Sequence, residues 1–237
     1  MKCLVKILFV LLLLTQSGPA QGFFNLNFEQ ATIASAPSGY TPTDAFNPIS
    51  AASAFPCWTV REDGIICTAV WGTPIALDET SVALVSAGYS TIQGNYSIQL
   101  YAYANAPFNL YQNSSISQTG VIPLGTQSLL FIVARPSQAG VVQPNPIITI
   151  NGTPIGLSLL SESGGVMTMA GDISAFAGIT ANLTFLCQAT QGGGFPSNEN
   201  IFNLDGIQFS SSPVPEPGVL ALTVMGGLLL GYRRWWK

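Results

Sequence analysis

Side chains that could carry out catalysis are scarce in this chain of 237 residues. The chain contains no histidine, which excludes Ser-His-Asp triads, histidine bases and histidine metal ligands. Adjacent acids occur at Glu62-Asp63 and Asp78-Glu79, but neighbouring residues of a strand point to opposite faces of a sheet. A glycosidase needs two carboxylates that meet in space, which a sequence alone leaves open. The sequence therefore favours a protein that is not an enzyme, with a glycan-active enzyme as a distant alternative.

Aromatic side chains offer a different chemistry, the binding of sugars. Apolar ring faces stack on the C–H groups of a pyranose, while amides and carboxylates bind its hydroxyls. Tyr101 and Tyr103 alternate with apolar residues and so share one strand face, and Tyr111 follows in an Asn-rich segment. These tyrosines could line a glycan-binding groove, or they could pack in the core or cover it.

The central part of the chain is acidic. Arg61 and Arg135 are the basic residues between 22 and 212, against ten acids, so the net charge there is about −8. Proteins that bind nucleic acid carry basic surfaces to contact its phosphates, so no nucleic-acid partner is expected.

Three cysteines, Cys57, Cys67 and Cys187, lie in this central part. A two-residue turn at Asp63-Gly64 would place Cys57 and Cys67 on opposite faces of the sheet, where they cannot form a disulfide. A five-residue loop would bring them opposite each other. The sequence leaves both arrangements open.

The elements that must position these residues are strands. Alternating and short apolar runs separated by turn residues give about ten strands, among them Phe24–Phe28. Asp63-Gly64 and Asn151-Gly152 mark hairpins, the second between 147–150 and 155–160, and only 173–177 has a helical pattern. The prediction is an all-β protein, a single antiparallel β-sandwich or jelly roll over 22–212.

The N-terminal segment has the pattern of a secretory signal peptide. Lys2 and Lys6 precede the apolar run 7–14, and small residues lead to a cleavage site after Ala20. Residues 1–21 are therefore predicted to direct export.

The C-terminal segment, 213–237, has the pattern of a membrane anchor. Residues 218–232 carry no charge and would form a transmembrane helix about 22 Å long. The basic residues Arg233, Arg234 and Lys237 follow and would hold that end in the cytoplasm.

Val214, Pro215, Glu216 and Pro217 precede the helix, and the whole arrangement resembles the PEP-CTERM sorting signal of Gram-negative bacteria. The resemblance implies processing by an exosortase, an intramembrane cysteine protease-transferase, and often an association with exopolysaccharide. It implies transient anchoring in the inner membrane and delivery to the cell envelope, outer surface or extracellular matrix.

Several phrases of the central part resemble secreted jelly-roll domains of the galactose-binding-like type. They are Asn27-Phe28-Glu29, 55–60, 116–119 with 122–123 and 128–131, and 202–209. In many such domains an acid of the first strand and an acid of the last strand bind a structural calcium. The resemblance implies that role for Glu29 and Asp205, although Gly206 stands where a second acid often follows; two exposed, unpaired carboxylates are the alternative.

Taken together, the sequence predicts a non-catalytic surface or matrix protein sorted by an exosortase-type system. The alternative is a carbohydrate-binding, lectin-like module for exopolysaccharide. No cofactor is expected other than the structural calcium.

Overall fold

The computed structural model describes residues 22–34, 48–72, 81–89, 91–105, 110–135, 146–189 and 199–214. These residues are almost entirely β-structure, with a short helix α1, Ala51–Ala54, and a 3-10 turn, Ser174–Phe176. The strands are β1 Pro48–Ser50, β2 Thr59–Glu62, β3 Ile65–Ile66, β4 Ala69–Trp71, β5 Ser81–Ser86, β6 Tyr96–Asn105, β7 Leu110–Gln112, β8 Ser114–Val121, β9 Ser128–Ala134, β10 Ile147–Ile150, β11 Thr153–Pro154, β12 Leu157–Ser163, β13 Val166–Asp172, β14 Thr180–Cys187 and β15 Glu199–Ser210.

The strands form two sheets. The larger sheet has the order β1-β4-β5-β6-β15-β9-β13-β12, with β7 paired to β6, and the smaller has the order β11-β10-β14-β8-β2-β3. The pair β4–β5 is parallel, whereas the other strand pairs are antiparallel. The last strand, β15, lies between β6 and β9 at the centre of the larger sheet. The all-β sandwich predicted from the sequence is confirmed.

Aromatic rings fill the space between the sheets. Phe28 and Phe185 lie on either side of Trp58, with ring centroids 5.8 and 6.3 Å from it, and Phe131 meets Phe185 edge to face at 5.4 Å. The Trp58 indole N–H donates to Asn25 O at 3.1 Å, so its one polar atom is satisfied inside the core. Phe28, Phe131 and Phe185 are fully buried, so the described segments contain their own core.

The hairpin at Asp63-Gly64 forms as a two-residue turn. Glu62 pairs with Ile65, and φ is +48° at Asp63 and +81° at Gly64, as a tight turn of this kind requires. Because Cys67 then lies beside Val60, the two-residue alternative holds, and Cys57 and Cys67 are free thiols, as is Cys187.

Two strand predictions are wrong. Residues 24–28 form turns, because Asn25 and Phe28 have φ of +51° and +57° and the Asn25 side chain accepts a hydrogen bond from Gln30 N–H. After the Asn151-Gly152 turn, β10 pairs with β11 for two residues only, and β12 crosses to the larger sheet to pair with β13. Gly171 permits the crossing, since a Cβ there would lie 2.5 Å from Ile155 Cγ2. The helical turn near 173–177 is confirmed.

The predicted signal peptide, 1–21, and the predicted helix, 218–232, lie outside the described residues. Within the described ranges, no helix has the length and apolar character to cross a membrane.

Candidate functional site

Glu29 holds one side of the 91–95 loop, the segment that leads into β6. Its Oε1 accepts hydrogen bonds from Asn95 N–H at 2.8 Å and Tyr96 N–H at 3.0 Å, and its Oε2 accepts one from Asn95 Nδ2 at 2.9 Å. The close approach requires Gly94, where φ is +56° and an added Cβ would overlap Glu29 Oε1.

Asp205 holds the other side of the same loop from β15. It is 1% exposed, and its Oδ2 accepts hydrogen bonds from Ser97 Oγ at 2.9 Å and Gln93 N–H at 3.1 Å. Ser97 Oγ in turn accepts a hydrogen bond from Ile92 N–H. Gln93 and Ser97 are therefore linked to this carboxylate oxygen directly, and Ile92 is linked to it through Ser97. A shift of register between β15 and β9 after Asp205, with φ of +57° at Gly206, forms a bulge, and Asp205 Oδ1 accepts from Gly206 N–H at 2.7 Å.

The pKa values of the two carboxyl groups are shifted in opposite directions. Burial raises the pKa of Glu29, but the hydrogen bonds from Tyr96 and Asn95 outweigh it, and the net pKa lies below the ordinary 4.5. Burial dominates at Asp205 and raises its pKa above the ordinary 3.8, and the nearby negative charge of Glu29 raises it further. The hydrogen bonds to Asp205 oppose this shift without reversing it.

These oxygens fit a calcium ion poorly. Calcium takes about six to eight oxygen ligands, whereas every carboxylate oxygen of Glu29 and Asp205 already accepts a hydrogen bond. N–H and O–H donors therefore contact all of these oxygens, although at Asp205 burial still outweighs them. Among the residues that the structure describes, no group of three or more acidic, histidine or cysteine side chains is placed to hold a metal ion. The calcium role stays a prediction, whereas the alternative of two exposed and unpaired carboxylates does not hold, because Glu29 is half-buried, Asp205 is buried and both accept hydrogen bonds.

The tyrosine groove does not form from Tyr101 and Tyr103. They are 0% and 8% exposed and pack with Ile201, on the face of the larger sheet opposite the main core. The alternation of β6 does place the two tyrosines on one face, as predicted, but that face is covered. They therefore pack inside the protein, which is the alternative that the sequence left open. Tyr111 lies in β7, where its backbone pairs with Ala104, and its side chain lies outside what the structure describes.

A cleft of about 580 Å³ opens beside the Asp63-Gly64 hairpin. The half-buried Trp71 forms one part of its wall, and Glu62 and Gln112 bring a carboxylate and an amide to it. The exposed side chains Ile65 and Ile66 line the same cleft. An indole beside acid and amide groups is the combination that binds sugars.

The chain leaves the sandwich directly after β15. Ser210 O accepts from Gln127 N–H at 2.8 Å, and Ser128 Oγ donates to Ser212 O at 2.7 Å. Residues 211–213 are exposed, and Val214 is half-buried. The other residues of the predicted motif, Pro215, Glu216 and Pro217, lie outside the described residues, as do Arg233, Arg234 and Lys237.

Comparison with known proteins gives no match for this chain, among family models, curated proteins or solved structures.

Sequence reasoning missed the residues that surround the two acids. Gln93, Asn95 and Ser97 contribute mainly backbone N–H groups and a hydroxyl, which leave no pattern in a sequence. The dipeptide Gly94-Asn95, a frequent turn pair, was the available signal.

Proposed function

We propose that this protein is exported, sorted to the cell envelope or extracellular matrix by an exosortase-type enzyme, and that the sandwich is its non-catalytic surface domain. The residues that carry the proposal are Val214, Pro215, Glu216 and Pro217, together with the apolar and basic segments that follow. The N-terminal segment supports it, because it has the charge and hydropathy of a signal peptide.

The geometry at the end of β15 supports the proposal. Ser212 O still accepts a hydrogen bond from Ser128, and residues 211–213 are exposed, so the motif follows the last strand closely, with its first residue, Val214, half-buried. A processing enzyme could cut or join the chain there without removing a strand. The domain would keep its core, since every strand of the two sheets lies at or before Ser210.

The galactose-binding-like jelly roll belongs to the same proposal. Its support is that Glu29 and Asp205, which the resemblance places at one site, bind the same 91–95 loop. Hydrogen-bond donors occupy that site here, so the domain would need no metal ion to fold.

Processing in the native host tests the sorting proposal. Glu216→Ala removes the acid of the motif, and Glu162→Ala removes an exposed acid of β12 as a matched control. We expect the Glu216→Ala chain to accumulate with its tail in the inner membrane, while the Glu162→Ala chain is processed and delivered as in the wild type. Equal processing and delivery of both variants would refute the proposal.

Glycan binding is a second candidate, and the cleft beside Trp71 favours it. The probe is a panel of purified polysaccharides, including the exopolysaccharide of the host, presented to the full-length protein in detergent. Saturable binding should be lost in Trp71→Ala and retained in Tyr89→Ala, which removes an exposed ring outside the cleft lining. Binding that survives Trp71→Ala, in a variant that unfolds at the wild-type temperature, would rule out this cleft.

A further inference from the structure

Two neighbouring turns present apolar side chains at one end of the sandwich. Leu124, between β8 and β9, is 90% exposed, and Ile179, just before β14, is 43% exposed. The turns are joined by backbone hydrogen bonds, from Ile122 N–H to Ile179 O at 3.0 Å and from Gly178 N–H to Ile122 O at 2.9 Å. Leu124 leans over Gly178, where an added Cβ would lie 3.1 Å from its Cδ1. The two side chains therefore belong to one surface, the 124/179 tip.

The turn does not allow Leu124 to withdraw into the core. Pro123 O accepts hydrogen bonds from both Thr126 N–H at 3.2 Å and Thr126 Oγ1 at 2.7 Å, which closes the turn beneath Leu124. Thr126 is buried, and Gly125 has the φ of +80° that this turn requires. The structure therefore holds this large apolar side chain in solvent.

The described chain begins and ends at this same end of the sandwich. Gly22 forms a bridge with Val121, the last residue of β8, and Ser210 pairs with Ser128, the first residue of β9. The turn with Leu124 connects these two strands. From the hydrogen bond at Ser212 to the apolar segment at Gly218, the chain can span at most about 20 Å.

We propose that the 124/179 tip contacts the lipid bilayer in which residues 218–232 are anchored. This inference rests on the proposed function, since it needs the anchor. The short connection keeps this end of the sandwich near the bilayer, and Leu124 and Ile179 then enter its apolar boundary. The basic residues of the domain lie at the opposite end: Arg61 in β2, beside the Asp63-Gly64 hairpin, and Arg135 directly after β9, beside the Gly164-Gly165 turn. The contact is therefore apolar and should not require anionic lipid.

Quenching by lipid-attached nitroxide tests the contact in the full-length chain, reconstituted in phosphatidylcholine vesicles. A thiol-reactive fluorophore is placed at Leu124→Cys in a Cys57→Ser background, because Cys57 is exposed and would react. The matched control is Ile65→Cys. Ile65 is 73% exposed and lies in the hairpin at the opposite end of the sandwich. The labelled Cys57→Ser parent gives the baseline.

We expect strong loss of fluorescence at position 124 and none beyond the baseline at position 65, with no change when anionic lipid is added. A label at Ala221→Cys separates the two proposals. Quenching at 221 without quenching at 124 would overturn the tip contact and leave the anchor intact, whereas no quenching at either position would overturn both. A label at 124 that becomes shielded in lipid-free detergent as protein concentration rises would show self-association and would also overturn the proposal.

Discussion

Replacing Asp205 by alanine should release the 91–95 loop and destabilise the whole sandwich. The carboxylate is 1% exposed and accepts hydrogen bonds from Gln93 N–H, Ser97 Oγ and Gly206 N–H. Ser97 can rotate its hydroxyl to another acceptor, but the two backbone N–H groups cannot move without moving the loop and the bulge. The variant therefore leaves two donors without an acceptor.

The expected cost follows from these two donors. A buried donor left unpaired costs about 1–3 kcal/mol, and partial access of water lowers the upper limit, so Asp205→Ala should cost about 2–5 kcal/mol. For a domain of this size, this corresponds to a decrease in Tm of about 5–20 °C. Asp205→Asn keeps one oxygen acceptor but turns an amide toward a donor, so its cost should lie between those of the wild type and the alanine variant.

Thermal and urea unfolding of the full-length protein in detergent, followed by circular dichroism, measures this cost. Asp172→Ala is the matched control, because that exposed acid accepts hydrogen bonds from its neighbour Ser174, including its N–H at 2.9 Å, and should cost about 1 kcal/mol. Hydrogen exchange should show faster exchange of the Gln93 amide in Asp205→Ala alone. If Asp205→Ala is no less stable than Asp172→Ala, the carboxylate does not hold the loop.

Other predictions concern the same loop and the thiols. The pKa of Glu29 is lowered in the fold, so the charge-linked cost of Glu29→Gln should be fully present above its ordinary pKa of 4.5 and be lost as pH falls through the lowered pKa. The pKa of Asp205 is raised, so the cost of Asp205→Asn should be largest below 3.8 and shrink with rising pH; unfolding at several pH values checks both signs. Gly94→Ala should lower Tm, since its Cβ would displace Glu29, and a stability equal to the wild type would contradict the contact. In thiol titration Cys57 should react first, and Cys187, whose pKa burial raises, should react only after unfolding.

The sequence predicts the parts of the fold that are set by local chemistry. Asp63-Gly64 and Asn151-Gly152 are tight turns because both residues of each pair have positive φ, which these residue types tolerate. The destination of the next strand is not local: Ile155 still donates its N–H to Ile148 O at 2.9 Å, as a continued hairpin requires, but β12 starts at Leu157 and pairs in the other sheet. The crossing also needs the free space above Gly171, a residue of another strand, which the local sequence does not reveal.

The candidate site also combines features that the local sequence predicts with features that depend on distant parts of the fold. Alternation correctly groups Tyr101 with Tyr103, but a period of two does not tell whether a face is covered, and this face is. Resemblance places Glu29 and Asp205 together, and the structure joins them through one loop. Most of their partners are backbone N–H groups, which every residue but proline carries, so the turn pair Gly94-Asn95 is the one pattern that points to them.

The position of β15 has a consequence for the order in which the protein forms. Its partners, β6 and β9, are synthesised about 100 and 70 residues earlier, so neither can complete its ladder until Ser210 has been made. Until then β6 and β9 each keep an edge without its final neighbour, which is the state in which strands join other chains. The two halves of the larger sheet therefore have to wait for the end of the chain, and truncation before residue 199 would leave a sheet split along its middle. Ribosome-bound chains of increasing length should gain protease resistance in one step, once residue 210 is free of the ribosome.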